Sequence, residues 1–174
     1  MTQPDTLFQW PVRVYWEDTD AGGIVFYANY LKFFERARTE WLRSLGLEQR
    51  RLKDELHGMF VVAETNVRYL APARLDDELI VTAQVEFAGK ASLKINQQAH
   101  LKLKPSLSPQ FSDGPPQGKL APLSSERGSA VPLAREATSV GAILCVGTIK
   151  IGWVDASTLQ PQRIPAIILE RLST

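Results

Sequence analysis

Between residues 30 and 45 the apolar residues Tyr30, Phe33, Phe34, Ala37, Trp41, Leu42 and Leu45 recur at steps of three and four. At 3.6 residues per turn they make one wide stripe on a helix, with Glu35, Arg36, Arg38, Glu40 and Arg43 on the other side. Asn29 is suited to cap the start and Gly46 to stop the helix just beyond its end. A stripe this broad and aromatic predicts packing against a large sheet.

The remaining patterned segments have period two, the signature of strands. Phe8, Trp10, Val12, Val14 and Trp16 point one way, with Gln9, Arg13 and Tyr15 between them. Alternation returns over 60–70, then in Leu79, Val81, Ala83, Val85 and Phe87, and again over 93–103. In that last run Lys94, Asn96, Gln98, His100 and Lys102 are expected to face out. A final strand is expected from about 140 to 154, a turn at 71–77 and a tight hairpin at Ala88-Gly89-Lys90. This order predicts an α+β fold, one long helix against an antiparallel sheet of about five strands, and not the alternating βαβ of a nucleotide-binding domain.

With 174 residues the chain reads as one domain over 1–174. Residues 104–138 break the pattern, holding six of the eleven prolines and six serines. They are read as a flexible Pro/Ser-rich insertion between two paired strands.

Twenty basic and nineteen acidic residues leave a net charge of +1, which argues against a dedicated nucleic-acid partner. A single cysteine, Cys145 in an apolar run, excludes an internal disulfide framework and predicts a buried thiol and a cytoplasmic setting. No secretory signal or membrane-spanning run is evident, so no transmembrane segment is expected.

Glycine-rich phosphate loops and a Gly-x-Ser-x-Gly elbow are absent from the sequence. His57 and His100 lie 43 residues apart without ligand-spaced partners, so no metal site is expected. What stands out is EDTDAGGIVFYANY, starting at residue 17. Asp-x-Asp suits magnesium binding or a phosphatase nucleophile, but such phosphatases place it after a fully apolar strand of a parallel sheet. Aspartic proteases carry a related Asp-Thr-Gly in an all-β fold, which the long following helix contradicts.

Asp-Thr-Asp-Ala-Gly-Gly-Ile-Val-Phe-Tyr-Ala-Asn-Tyr, followed by Phe-Phe-Glu-Arg-Ala-Arg-Thr-Glu, resembles the 4-hydroxybenzoyl-CoA thioesterase family of the hotdog fold. With Tyr-Leu-Ala-Pro-Ala-Arg-Leu-Asp-Asp-Glu-Leu further on, the resemblance is closest to the acyl-CoA thioesterases encoded with the bacterial Tol-Pal envelope system. It covers about 10–103, resumes near 140 and leaves out the insertion.

The resemblance implies a helix wrapped by a curved sheet, assembled as a homodimer or homotetramer. It also implies hydrolysis of a short- or medium-chain acyl-CoA to acid and CoA, with no cofactor beyond the CoA of the substrate. It places the catalytic carboxylate on Asp20 and the oxyanion donor on the backbone amide of Tyr27, where many relatives have histidine. Gly23 and Val25 fall beside the substrate, and Lys90 where relatives carry basic residues for the CoA phosphates, with Arg68 and Arg74 as further candidates. Asp18 reads as a turn residue. Other hotdog branches use a helix carboxylate, which here would be Glu35, although Arg38 three residues on offers it an ordinary ion pair. The alternative is a non-catalytic hotdog scaffold that binds acyl groups or an acyl carrier protein.

Overall fold

The computed structural model describes residues 7–103 and 140–172. The insertion expected at 104–138 lies outside the described residues. Five strands, β1 (Phe8–Arg13), β2 (Gly58–Tyr69), β3 (Glu78–Ala88), β4 (Ser92–Lys102) and β5 (Val140–Asp155), form one sheet in the order β1-β3-β4-β5-β2. Every neighbouring pair is antiparallel. Register shifts at Val62/Glu64, Val85/Phe87 and Ala99/His100 bend the strands, as bulges do.

Helix α1 (Asn29–Ser44) lies on one face of the sheet. Phe33, Phe34, Ala37 and Leu42 are buried with Leu79, Val81, Ile95, Ala99 and Ile149 in one core. The expected stripe is therefore the buried one. The helix ends as its sequence predicts: Gly46 has φ +71, where a side chain would be strained, and its N–H returns to the Arg43 carbonyl at 2.9 Å.

Its start differs from expectation. Ala28 holds the cap position without a side-chain hydrogen bond, and Asn29 is the first helical residue. Asn29 Nδ2 instead donates back to the Asp18 carbonyl at 3.0 Å, tying the helix entry to the preceding turn. Trp16, expected to face inward, is 79% exposed, because β1 stops at Arg13 and residues Trp16–Asp18 form a 3-10 turn. Two short helices escape the periodicity, α2 (Gln49–Leu56), with Leu52 buried, and α3 (Ala166–Leu172), with Ile168 and Leu172 buried.

Two polar side chains are more buried than their pattern suggested. His100 faces outward on β4 but is only 9% exposed, flanked across the ladders by Ile80 and Ile143. Its Nε2 lies 3.0 Å from Gln98 Oε1 and its Nδ1 has no partner among the described residues. Arg38, assigned to the polar side of α1, is 8% exposed. Cys145 is fully buried, and burial pushes its thiol up to about 12. No helix among the described residues is long and apolar enough to cross a membrane.

Candidate active site

The acidic stretch folds into a small hairpin ahead of α1. Asp20 donates its N–H to the Ile24 carbonyl at 2.9 Å and accepts the Gly23 N–H at its own carbonyl at 3.0 Å. Gly23 sits at the tip with φ +72, a backbone region that disfavours side chains. Thr19 bridges Val25 and Ile24 bridges Arg74, while the Val25 N–H donates to the Ala73 carbonyl at 2.9 Å. The hairpin is thereby stitched to the turn between β2 and β3.

The two aspartates have different surroundings. Asp18 is 2% exposed, and its Oδ2 accepts the Tyr15 N–H at 3.0 Å. Its carbonyl accepts the Phe26 N–H at 2.9 Å as well as the Asn29 side chain. Asp18 thus fixes the turn and the helix entry, in keeping with its reading as a turn residue. Asp20 is exposed, and its Oδ1 accepts only the Gly22 N–H, at 2.8 Å. Its Oδ2 has no hydrogen-bond partner among the described residues.

Asp20 opens onto a cavity of about 350 Å³ whose wall includes Val25, Tyr27, Tyr30, Tyr69 and Leu70. The Tyr27 ring packs against Phe26 at 4.5 Å and Tyr69 at 6.2 Å. The Tyr27 N–H finds no backbone acceptor among the described residues. It precedes Ala28, the cap of α1, so it adjoins the helix start, where N–H groups lack partners and the helix dipole favours negative charge. Tyr30 Oη accepts the Ala73 N–H at 3.1 Å, and burial raises its pKa, which keeps the hydroxyl neutral. A carboxylate with one free oxygen, an unused amide and a largely apolar slot together suit attack on a carbonyl carbon.

Of the residues singled out from sequence, Asp20, Val25 and Tyr27 line this cavity, and Gly23 shapes the hairpin beside it. Arg74 adjoins through its bridge to Ile24, and Arg68 precedes Tyr69 on β2. Lys90 is elsewhere. It follows the far end of β3, an eleven-residue strand that spans roughly 36 Å. Glu35 does not share the cavity, and the ion pair expected with Arg38 does not form. Glu35 Oε1 accepts the Thr39 hydroxyl at 2.7 Å, and Arg38 Nη1 donates to Gln97 Oε1 at 2.9 Å. Tyr30 and Tyr69 were missed as site residues; Tyr30 was read as core, and only its hydroxyl within an apolar stripe hints at more.

Comparison with known proteins now bears on this geometry. The sequence pattern of the thioesterase superfamily matches residues 22–102. The chain is 50% identical over 93 residues to the acyl-CoA thioester hydrolase YbgC of Escherichia coli, covering 53% of this chain and 69% of that protein. It is 29% identical over 161 residues to the acyl-CoA thioesterase YbgC of Helicobacter pylori, covering 92% of this chain and 96% of the relative. Among solved structures, a thioesterase-superfamily protein from Jannaschia sp. superposes with a TM-score of 0.70 at 14% identity, over 99% of this chain and 94% of its own. That likeness carries the fold, and the sequence identity to the Escherichia coli relative, with the family match over 22–102, carries the kinship: the chain belongs to the thioesterase superfamily, with the hotdog fold.

Proposed function

We propose that the chain is an acyl-CoA thioesterase that hydrolyses a short- or medium-chain acyl-CoA to the free acid and CoA. The observation that carries this reading is the placement on one cavity of the Asp20 carboxylate and of Tyr27, whose N–H has no backbone acceptor among the described residues. Kinship with proteins named acyl-CoA thioesterase supports it.

In this reading the thioester carbonyl oxygen accepts the Tyr27 N–H, and the oxyanion that develops is held there. One such donor lowers the barrier by ~2.7–4 kcal/mol. Asp20 Oδ2 either attacks the carbonyl carbon, forming a mixed anhydride that water then cleaves, or takes a proton from an attacking water. In both routes the C–S bond breaks and the thiolate leaves, later taking up a proton. Likeness to the Tol-Pal-associated subgroup favours aliphatic chains over hydroxybenzoyl.

Assembly completes the site in this proposal. β2 is an edge strand, an open template for pairing. A second copy added antiparallel along β2 brings the Gly58 end of one protomer beside the Tyr69 end of the other. The partner's Lys90 hairpin then lies toward the same end of the joined sheet as Asp20, where it would meet CoA phosphates. The assembly in this reading is a homodimer, or a homotetramer of two such dimers.

The test is thiol release from aliphatic and aromatic acyl-CoAs by wild type and Asp20→Asn. Turnover that collapses in the variant, with the fold intact by circular dichroism, supports the assignment. Equal turnover by both proteins would reject Asp20. No turnover of any CoA ester would favour carrier-protein thioesters or the non-catalytic scaffold.

A further inference from the structure

A second cavity, of about 490 Å³, lies further along α1, between that helix and the middle of β2 and β5. Its size is within the ordinary range for a small-molecule site. Phe34, Val62 and Ile149 give it apolar walls, and three cations, Lys32, Arg36 and Arg38, face it against one carboxylate, Glu35. None of the three cations has an ion pair among the described residues.

Arg38 is the unusual member. Its guanidinium has five donors, of which one is used among the described residues, on the neutral oxygen of Gln97. Gln97 is itself fully buried and anchored through Nε2 to the carbonyls of Phe34 at 2.9 Å and Thr82 at 3.4 Å. A cation this buried is unfavourable without a counter-charge. Glu35, held by the Thr39 hydroxyl, stands nearby without forming a salt bridge to it.

The two cavities follow one another along the same seam. On the helix side Tyr27 borders the first, and Leu31, Glu35 and Arg38 border the second. On the sheet side Tyr69 borders the first, and Thr65 and Val62 the second, all from β2. The helical path from Tyr27 to Arg38 is roughly 16 Å at 1.5 Å per residue.

We propose that the acyl group lies along this seam and that Arg38 binds a carboxylate at its far end. The preferred substrate is then the CoA thioester of a dicarboxylic acid. This inference rests on the thioesterase reading. Hydrolysis is otherwise unchanged: the C–S bond breaks, water supplies the new carboxyl oxygen, and the distal carboxylate is not consumed.

The test compares CoA thioesters matched in length and ending either in methyl or in carboxylate. The expected result is a kcat/KM at least about tenfold higher for the carboxylate-ended ester at one chain length, with the preference abolished by Arg38→Met and partly kept by Arg38→Lys. Calorimetry with the free dicarboxylic acid of that length, its monocarboxylic counterpart and acetate reads the same contact without turnover, in wild-type protein. Tighter binding of the dicarboxylic acid is expected. Equal binding of all three would overturn the proposal and leave only a general anion site. Methyl-ended esters hydrolysed as well at every length would overturn it while leaving the thioesterase standing. No hydrolysis in either series, with dicarboxylate bound through Arg38, would reject the thioesterase and keep the carboxylate site.

Discussion

Two turns of this molecule each hold an aspartate, and they use it in opposite ways. At the turn that closes β5, Asp155 Oδ1 accepts the N–H groups of Ser157 and Thr158 at 2.9 and 2.8 Å and both their hydroxyls, at 2.6 and 3.1 Å. Its Oδ2 accepts Gln162 Nε2 at 3.2 Å. In the hairpin before α1, Asp20 accepts a single N–H and leaves one oxygen open to a cavity. A carboxylate surrounded by donors is committed to shape. One with an oxygen that has no partner among the described residues and that opens on a cavity is free to meet a ligand.

The sharpest way to break this contrast is to replace both residues and measure turnover and unfolding together. Asp20→Asn should lower kcat by about 10²–10⁴, the usual contribution of a positioned acid or base, with the thermal midpoint unchanged. A stable, fully active variant would place the chemistry elsewhere. Next in size is Tyr27→Pro, which removes the proposed oxyanion donor and should lower kcat by about 10²–10³. Tyr27→Phe keeps that donor and should stay within a few-fold of wild type. Similar losses in both would assign the effect to the ring.

Lys90→Glu should raise KM for acyl-CoA about fivefold, corresponding to roughly 1 kcal/mol of exposed charge interaction. It should leave KM for the matching N-acetylcysteamine thioester unchanged, since that substrate carries no phosphates. A parallel rise in both would remove Lys90 from CoA binding. Asp155→Ala should leave turnover intact and lower the urea midpoint. Hydrogen bonds from Ser157 and Thr158 hold the Asp155 pKa below the usual carboxylate range. A carboxylate depressed on folding stabilises the native state above its unfolded pKa of ~3.9, and that contribution fades as pH falls below this value. The gap between wild type and variant should therefore narrow in acid, as urea titrations at several pH values would show.

Much of the fold was legible because local pattern and global packing agree. Alternation located β3 and β4 nearly to the residue, the expected final strand matches β5, and the broad stripe located α1. Trp16 was misplaced because alternation cannot show where a strand stops pairing. α2 and α3 were missed because each is too short for a helical period to stand out. The hairpin with Asp20 and Tyr27 was legible through family likeness, since their contiguity in sequence becomes contiguity in space. The remoteness of Lys90 was not, because a turn's composition carries no information about which end of a sheet it occupies. Arg38 shows the same limit: its partner Gln97 lies 59 residues away, whereas sequence offered Glu35 three residues away.

The pairing of β4 with β5 also has a use in protein engineering. Lys102 stands opposite Val140 in the ladder, so the chain leaves and re-enters the sheet at adjacent points. Those two strand ends are held together by their own hydrogen bonds, independently of the sequence that joins them. The junction is therefore a natural cassette boundary: a short turn or a reporter domain can be spliced between these strands. New termini opened there for a circular permutant would emerge side by side.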